Sequence, residues 1–515
     1  MTLADIIERN ARLSPDDLAV RDERRSLTHS SLAQRVRKLA GALRGRAPKG
    51  ARVAILAFNC TEFLEIQGAC EWAGYISVGI NVRLAEAEIG AVLADSGAEV
   101  LFFEEEFAAV VERLRASLGG IHLIAIGDAP NWAEQYHSMM SDATDSGDQP
   151  DVSADDIAHL VYTSGTTGRP MGAVLSHGAL FEAARMTAHE GGVHRDDVAL
   201  LVMPMFHIGA KIEQLAFSIS GAAVVFRRKF DPEAALQALS RDRITALHLA
   251  PVLIQRLLDA PGFDAADKSS LRCIHYSASP MPVPLLRRAL AALGPVFTQI
   301  YGMTECSVCT ILKPHQHVTD GHEEQIGRLA SAGQEFLGTE VRIVSADGAK
   351  CGEGEVGEVL IRSPGQMQGY WGAPDVTEKS FIGDWLRTGD MGFLDRERFL
   401  FLVDRAKDVI VSGGENVFSR EVEDALRSHP DVGEVAVIGV PDREWGETVM
   451  AVVIPAPGSA PDADALTTHC RDRIAGYKRP RRFKFVDEFP RLASGKIDKK
   501  ELRAPFWAGQ SRLIN

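Results

Sequence analysis

The stretch Tyr162-Thr-Ser-Gly-Thr-Thr-Gly-Arg-Pro170 decides how this sequence is interpreted. Its first two residues end the strand candidate of residues 159–163, which predicts a loop at the end of a β-strand. Its glycines permit unusual backbone angles, and its hydroxyls and amides are suited to surround phosphate oxygens. The GxxxxGK[ST] pattern of a Walker A loop is absent, so the loop belongs to another class. Taken alone, an ordinary Gly/Ser/Thr turn is the alternative.

Apolar runs alternate with helix-like segments on both sides of this loop, which predicts βαβ units. Strand candidates include residues 53–58 and 100–103 before the loop, and residues 198–203 and 273–277 after it. This alternation predicts a large α/β body.

Two smaller regions follow the body. Short runs separated by Gly, Pro and Asp predict a small β subdomain over about residues 335–404. The remaining helix and strand candidates predict a separate α+β domain. We therefore expect an N-terminal domain of residues 1–404 and a C-terminal domain of residues 405–515.

The composition of the 515 residues, 45% hydrophobic and 24% charged, excludes disorder over most of the chain. The formal net charge of −14 argues against broad binding to nucleic acid or to an anionic membrane. The longest uncharged stretch, residues 289–304, contains Gly294 and Pro295, so no stable membrane insertion is expected. The N-terminus lacks a basic-then-apolar signal, which makes the cytoplasm the expected location.

The seven cysteines are few, odd in number and scattered, which favours reduced thiols over a disulfide framework. Cys306 and Cys309 form a CxxC pair without a second ligand pair, and we assign it no role.

Further motifs carry residues with specific chemistry. In Gln299-Ile-Tyr-Gly-Met-Thr-Glu305, the carboxylate of Glu305 is an oxygen ligand that Mg²⁺ accepts, and Tyr301 offers a face for stacking a base. In Leu386-Arg-Thr-Gly-Asp390, the final carboxylate suits a ribose diol. For each of these motifs, the alternative is a purely structural role, as the end of a strand or as a turn.

The last two motifs lie near the proposed domain junction and the C-terminus. Asp404-Arg-Ala-Lys-Asp408 leads into Val411-Ser-Gly-Gly-Glu-Asn416, and Ser494-Gly-Lys-Ile-Asp498 places Lys496 after a glycine. A lysine near a terminus is usually a solvated surface charge. This motif therefore indicates a functional role only in combination with the other motifs.

In this order and at these separations, the five motifs resemble the adenylate-forming superfamily of acyl-CoA synthetases, luciferases and nonribosomal peptide adenylation domains. The resemblance covers essentially the whole chain. It implies a large multi-sheet N-terminal body with a small β subdomain and a mobile α+β C-terminal lid. It also implies ATP, Mg²⁺ and coenzyme A. The implied reaction joins a carboxylate to the α-phosphate of ATP, and a thiol then displaces AMP from acyl-AMP.

The resemblance assigns site residues by position. Catalytic roles fall to Lys496, Glu305, Thr166 and His207, and Mg²⁺ falls to Thr166 and Glu305. Residues expected to bind ATP are Thr163, Ser164, Gly165, Thr166, Thr167, Gly168, Ala278, Ser279, Tyr301, Gly302, Thr304, Asp390 and Arg405. Lys407 occupies the hinge position, and residues expected at CoA are Gly413, Gly414, Trp445, Tyr477 and Arg479. The acid pocket is assigned to Phe206, His207, Ile208, Gly209, Leu249, Ala250, Ser277 and Met303.

These pocket residues are mostly apolar or small, which favours a fatty or aromatic acid over a dicarboxylate. Two positions depart from the pattern of the family. Met171 replaces a lysine that usually follows the phosphate loop, which removes one cation. Lys211 stands where an apolar residue is commoner; we expect its charge at the surface, with contact to a polar group of the acid as the alternative.

The sequence therefore predicts an ATP-dependent carboxylic acid:CoA ligase. Two alternatives stay open: an adenylating enzyme that passes the acyl group to a carrier protein or another acceptor, and a noncatalytic nucleotide-binding relative, suggested by Met171. The expected partners are small molecules, and the sequence leaves a homodimer open.

Overall fold

The computed structural model describes residues 1–145, 147, 151–163, 170–405, 408–412, 415–442, 445–471, 473–492 and 495–508. The strands, in chain order, are β1 (Leu18–Arg21), β2 (Ser26–Thr28), β3 (Arg52–Leu56), β4 (Ile76–Gly79), β5 (Ala98–Glu104), β6 (His122–Ile126), β7 (Glu134–Gln135), β8 (Ile157–Thr163), β9 (Met171–Ser176), β10 (Val198–Leu201), β11 (Ala223–Phe226), β12 (Ala246–Leu249), β13 (Cys273–Tyr276), β14 (Phe297–Tyr301), β15 (Thr310–Leu312), β16 (Gln334–Glu335), β17 (Glu340–Val344), β18 (Gly357–Arg362), β19 (Gly369–Tyr370), β20 (Phe381–Ile382), β21 (Trp385–Leu394), β22 (Leu400–Arg405), β23 (Ile410–Ser412), β24 (Glu415–Val417), β25 (Val432–Asp442), β26 (Gly446–Pro455) and β27 (Arg482–Phe485).

The α-helices of the same described residues are α1 (Leu3–Leu13), α2 (His29–Arg44), α3 (Thr61–Ala73), α4 (Glu86–Ser96), α5 (Ala108–Leu114), α6 (Tyr136–Asp142), α7 (His177–Glu190), α8 (Ile208–Ser220), α9 (Pro232–Arg241), α10 (Pro251–Leu258), α11 (Val283–Leu293), α12 (Glu323–Gly327), α13 (Pro374–Lys379), α14 (Ser419–Arg427), α15 (Ala463–Arg471) and α16 (Lys499–Trp507). None of them is long and apolar enough to cross a membrane.

Two large sheets form the body. One has nine strands in the order β16-β15-β14-β13-β12-β10-β11-β1-β2, and the other has eight in the order β19-β9-β8-β4-β3-β5-β6-β7. The central strands of both are parallel, as expected from βαβ units.

Alternate residues of the nine-stranded sheet pack into different hydrophobic clusters. Leu200, Leu247 and Ile274 belong to one cluster, whereas Ala199 and Ala246 belong to another. Burial on both faces explains why these strands are continuous apolar runs in the sequence.

A small five-stranded sheet contains β17, β18, β21, β20 and β22, all within residues 335–405. A fourth sheet, β24-β23-β26-β25 with β27 beside β26, carries the C-terminal helices α14, α15 and α16. The mixture of helices and strands predicted for this region is confirmed.

The chain divides into two compact units. One comprises Met1–Val341 with Ile361–Leu386, and the other comprises Arg342–Leu360 with Arg387–Asn515. The proposed division after residue 404 stays a prediction. Within the described residues, none of the seven cysteines forms a disulfide, and Cys306 and Cys309 are both fully buried.

Candidate active site

The phosphate-loop motif joins two strands, β8 and β9, in the sequence. Strands β8 and β9 pair antiparallel, with Thr163 opposite Met171. Thr163 therefore ends one strand and Met171, half-buried, begins the other. The predicted loop residues Ser164, Gly165, Thr166, Thr167 and Gly168 lie outside the described residues, so their roles stay predictions.

The predicted acid and adenine residues meet at one edge of the nine-stranded sheet. Strands β10, β12, β13 and β14 run parallel and in register, with Leu249 opposite Tyr276 and Tyr276 opposite Gln299. Residues that follow these strands therefore share the carboxyl edge, where open α/β sheets bind ligands. The structure brings these predicted residues to that edge: Phe206, His207, Leu249, Ala250, Ser277, Ala278, Ser279, Tyr301, Gly302, Met303 and Thr304.

Residues 206–209 lead from β10 into α8. His207 precedes the helix, Ile208 and Gly209 form its first turn, and the rings of Phe206 and His207 lie 4.5 Å apart between centroids. The side chain of Leu249 packs in the hydrophobic cluster with Leu247 and Tyr276, and Phe206 packs in a different cluster with Met205.

Backbone strain marks the turn after β13. Ala278 has a φ of 73°, in the left-handed region that costs a residue with a Cβ roughly 1–2 kcal/mol. Such strain tends to occur at ligand-binding turns, where the surrounding structure holds it in place. Both Ala278 and the adjacent Ser279 are exposed, as expected for residues that border a nucleotide base.

The turn after β14 explains the glycine of its motif. A Cβ on Gly302 would lie 2.0 Å from the carbonyl oxygen of Ser307, so no larger residue fits. The turn closes with the Cys309 amide donating to the Tyr301 carbonyl at 2.9 Å. It places Glu305 directly beyond the strand, with the residue only 7% exposed.

Glu305 is connected to the phosphate-loop hairpin. Its Oε1 accepts a hydrogen bond of 2.7 Å from the hydroxyl of Tyr370, and its carbonyl accepts one of 2.7 Å from the Met367 amide. Tyr370 lies in β19, where it pairs with Ala173 of β9. Burial, together with the Glu305 carboxylate, raises the pKa of Tyr370, so the phenol stays protonated and donates.

Tyr370 was not predicted from the sequence. It lies 65 residues after Glu305, and nothing in Gly369-Tyr370-Trp371 has the spacing of a metal or phosphate motif. The only local signal is a tyrosine between a glycine and a second aromatic residue.

The oxygen chemistry of Glu305 fits magnesium. Mg²⁺ is commonly held by one or two carboxylates together with phosphates of the substrate. A carboxylate with one oxygen fixed by Tyr370 is a suitable first ligand, and the second predicted ligand, Thr166, lies outside the described residues. Within the described residues, no group of three His, Cys, Asp or Glu side chains gathers to form a site made of protein ligands alone.

The prediction that the charge of Lys211 lies at the surface is wrong. Lys211 is 2% exposed, and its Nζ lies 2.7 Å from Oε1 of Glu71 on α3. The same carboxylate oxygen lies 2.9 Å from Nε2 of His159 on β8. Burial alone would raise the pKa of Glu71, but Lys211 and His159 hold it at about 2. A buried charge must be paired, and Glu71 is the partner that the sequence does not reveal.

A second buried charge, Glu213, lies two residues further along α8. Glu213 contacts Nδ1 of His275 at 2.9 Å, while Nε2 of His275 faces the carbonyl of Gly191 at 3.2 Å. Both ring nitrogens therefore face acceptors. Although burial opposes the charge, Cys273 and Glu213 raise the pKa of His275, which is consistent with an imidazolium.

The second unit brings together the two residues expected at the ribose. Asp390 on β21 stands opposite Arg405 at the end of β22, and their Oδ1 and Nε atoms are 3.0 Å apart. Asp390 is 7% exposed, while the Arg405 side chain is about half exposed. The carboxylate is thus held in a fixed direction by the strand pairing and the guanidinium.

The residues expected at CoA are largely on the surface of the second unit. Trp445 is 37% exposed with the guanidinium of Arg481 4.1 Å from its ring centroid, and Tyr477 is 40% exposed. Arg479 donates to the carbonyl of Ile474 at 3.3 Å. Gly413, Gly414 and the hinge residue Lys407 lie outside the described residues.

Lys496 lies in a tight turn between Arg491 and Ile497, which form an isolated bridge. Its carbonyl accepts the amide of Leu492 at 2.8 Å, and its side chain is exposed. Gly495, with a φ of 83°, permits this turn. The structure thus explains the glycine of the motif, while the catalytic role of the lysine stays a prediction.

Comparison with known proteins agrees with these features. The family described as AMP-binding enzyme matches residues 7–371, and the AMP-binding enzyme C-terminal domain matches residues 421–496. The chain therefore belongs to the AMP-binding enzymes of the adenylate-forming superfamily. The expected family and fold class are confirmed.

Individual relatives match over nearly their whole length. The chain is 36% identical to the fatty acid–[acyl-carrier-protein] ligase ScoC of Streptomyces coeruleorubidus, covering 100% of this chain and 98% of that protein. It is 38% identical to a feruloyl-CoA synthase of an Amycolatopsis species, covering 97% and 98%. The structure of o-succinylbenzoate CoA synthetase from Bacillus subtilis in complex with ATP and magnesium superposes with a TM-score of 0.86 at 30% identity, covering 97% of this chain and 99% of that one.

Proposed function

We propose that the protein is an ATP-dependent carboxylic acid:CoA ligase that acts on a fatty or aromatic acid. It forms acyl-AMP and pyrophosphate, and then acyl-CoA and AMP. The observation that carries the proposal is the hydrogen bond from Tyr370 to Glu305, which fixes a carboxylate beside the hairpin that bears the phosphate-loop motif.

The first step joins two anions, so it needs fixed positive charge and donors where negative charge accumulates. Thr163 and residues 164–168 bind the β- and γ-phosphates, and Glu305 with Thr166 holds the metal. Mg²⁺ held there would supply positive charge next to the phosphates. Lys496 bridges the acid carboxylate and the α-phosphate, while Asp390 and Arg405 hold the ribose.

The second step requires a thiol to reach the acyl-AMP. Trp445, Tyr477 and Arg479 contact CoA, together with Gly413 and Gly414. The exposed aromatic and basic side chains of Trp445, Arg481 and Tyr477 are suited to the adenine ring and phosphates of such a ligand. Rotation of the C-terminal domain about Lys407 takes the enzyme from adenylation to thioester formation. The cytoplasmic location stays a prediction.

The acid binds at the carboxyl edge of the nine-stranded sheet. Phe206, Ile208, Gly209 and Ala250 are apolar or small, which favours an aliphatic or aromatic acid. The names of the relatives, a fatty acid ligase and a feruloyl-CoA synthase, include both classes.

A second candidate acceptor is an acyl-carrier protein. The observation in its favour is the full-length match to ScoC, which is named for such an acceptor. This function shares the first step and differs only in the thiol that receives the acyl group.

One experiment tests both candidates. A panel of carboxylic acids is incubated with ATP and Mg²⁺, with either CoA or a phosphopantetheinylated carrier protein, and AMP and thioester are followed by mass spectrometry. We expect acyl-CoA to form in step with AMP. Thioester only on the carrier protein would favour the second candidate, and no AMP with any acid would contradict both.

The role of Lys496 is tested with Lys496→Ala and the matched control Lys500→Ala, an exposed lysine four residues on. We expect Lys496→Ala to slow acyl-AMP formation about 100-fold or more, since one fixed charge at the transition state is worth several kcal/mol. Lys500→Ala is expected to keep the wild-type rate. Full-speed adenylation by folded Lys496→Ala would overturn the assignment.

A further inference from the structure

The residue of interest is His248, a buried histidine at the acid pocket. It lies on β12, directly before Leu249 and Ala250, and is 2% exposed. A Cβ built on Gly209 would lie 3.6 Å from its Cε1, so the imidazole borders the first turn of α8. Its Nε2 lies 2.8 Å from Oγ of Ser277, which follows β13. Three elements of the predicted acid pocket therefore meet at one imidazole.

The surroundings of His248 favour a neutral imidazole. Burial lowers the pKa of His248. The charge of Glu213 opposes this effect, but the Glu213 carboxylate is paired with His275. His275 stands directly opposite His248 in the adjacent strand, so a second positive charge there would be repelled. A neutral ring carries one proton, on either Nδ1 or Nε2.

The surroundings indicate which nitrogen carries that proton. Nδ1 of His248 is buried and has no hydrogen-bond partner among the described residues. A proton on Nδ1 would leave a buried N–H without an acceptor, which is rarer in proteins than an unpaired acceptor. The proton therefore lies on Nε2, which donates to Oγ of Ser277.

This tautomer fixes what Ser277 can offer to a ligand. Its oxygen accepts the hydrogen bond from His248, so its own O–H is directed elsewhere and is available as a donor. Ser277 is half-buried, in contrast to the buried His248, and it directly follows β13 at the carboxyl edge of the sheet. A pocket whose predicted residues are mostly apolar or small thus contains an oriented donor.

We infer that Ser277 is a specificity-determining residue and that His248 is its positioning residue. Together they select carboxylic acids that carry an oxygen acceptor, such as a methoxy, keto or hydroxyl group, over plain hydrocarbon acids of the same size. This inference rests on the proposed function, because it refines the acid that this site activates.

The expected selectivity follows from the cost of an unpaired donor. A hydrocarbon group placed against the Ser277 hydroxyl displaces water and offers no acceptor, which a buried polar group tolerates poorly. We expect the oxygen-bearing acid of each matched pair to be preferred about 10-fold or more in kcat/KM for acyl-AMP formation.

The test compares matched pairs of acids. Each pair has the same size and differs in one group: methoxy against ethyl at each position of an aryl acid, and keto against methylene along an alkyl acid. Pyrophosphate release is measured for the wild type and for Ser277→Ala. We expect the preference to fall towards unity in Ser277→Ala because the hydrocarbon acids keep or gain rate. Ser277→Gly serves as a second variant if the first folds poorly.

Two variants of His248 separate positioning from packing. His248→Gln retains an N–H close to the position of Nε2 and is expected to keep most of the preference. His248→Leu fills the space without a donor and is expected to lose the preference. The ratio of kcat/KM between paired acids should fall, while the rate on hydrocarbon acids changes less. Ser240→Ala, which removes an exposed hydroxyl of α9, is the control and is expected to keep the ratio.

The outcomes distinguish this inference from the proposed function. AMP and thioester formation without preference in the wild type, or a preference unchanged in both Ser277 variants, would overturn the inference and leave the ligase intact. Equal loss of preference in His248→Gln and His248→Leu would refute the assigned proton position. The absence of AMP with every acid would instead remove the proposed function itself.

Discussion

Lys211 and Glu71 form an ion pair with both side chains 3% exposed. The free energy of such a pair is nearly balanced between desolvation and attraction, so its net contribution to stability is small. Removing one partner is different, because the remaining charge is then buried alone.

We expect Lys211→Met to lower the free energy of unfolding by about 3–5 kcal/mol, since it leaves Glu71 without a cationic partner: His159 still contacts the carboxylate, but burial lowers the pKa of its ring. Adding Glu71→Gln should recover a large part of this loss. Urea unfolding followed by circular dichroism measures both. Arg113→Met, which breaks an exposed pair with Glu86, is the control and should cost less than about 1 kcal/mol. Equal effects of Lys211→Met and Arg113→Met would contradict the buried pairing.

His317 gives the protein a dependence on pH. Burial lowers its pKa to about 4, against hydrogen bonds to the backbone of Lys313 and Pro314 that would raise it. In the neutral ring, Nδ1 donates to the Lys313 carbonyl at 2.8 Å and Nε2 accepts from the Tyr276 hydroxyl at 2.9 Å. The folded protein therefore binds fewer protons than the unfolded chain, whose histidine has a pKa near 6.5.

The contribution of His317 is fully present above pH 6.5 and is lost as the pH falls towards 4. Between pH 7.5 and pH 5 this amounts to about 2 kcal/mol. We expect His317→Gln to be less stable at pH 7.5 but to lose less stability than the wild type on acidification. Unfolding midpoints at several pH values measure the slope, and parallel profiles would show that another group is responsible.

At the scale of elements, the pairing of β19 with β9 matters most for the site. This pairing brings Tyr370 to Glu305 although the two residues belong to different segments of the chain. The short strand thereby links the turn after β14 to the hairpin of the phosphate-loop motif.

We expect Tyr370→Phe to raise the Mg²⁺ concentration required for half-maximal acyl-AMP formation several-fold, because Glu305 loses the donor that orients it. Tyr75→Phe removes a different buried hydroxyl of the same unit, which donates to the Ala47 carbonyl at 3.3 Å, and serves as the control. A magnesium requirement that is the same in both variants would show that Tyr370 does not act through the metal ligand.

The elements themselves were largely predictable. Buried parallel strands such as β12 and β13 are continuous apolar runs, and the residues that follow them lie at one edge because the strands are parallel. What could not be predicted depends on contacts between distant segments. Lys211 was expected to be exposed because its partner Glu71 is 140 residues away in the sequence, and the pairing of His248 with Ser277 requires the register of two strands.

At the scale of the whole molecule, the two compact units place Glu305 in the first and Asp390 with Lys496 in the second. The proposed chemistry needs residues of both, and the resemblance places the hinge at Lys407. The passage from adenylation to thioester formation should therefore depend on backbone freedom at this position.

We expect Lys407→Pro to impair thioester formation while sparing adenylation, because proline fixes φ at the hinge. Lys407→Ala, which removes the charge and keeps the backbone free, is the control. Pyrophosphate release and acyl-CoA formation are assayed separately. An equal fall in both activities would count against a hinge at this residue.

The separation between buried strands and the turns that follow them also bears on how new substrate ranges arise. Strands β12 and β13 are buried along their whole length, whereas Ser277, Ala278 and Ser279 lie beyond the packed interior. Exchanges at such turns perturb few core contacts, so a random library confined to them should retain a high share of well-expressed variants. Directed evolution towards unfamiliar acids should therefore begin at these turns, and leave the histidines beneath them untouched.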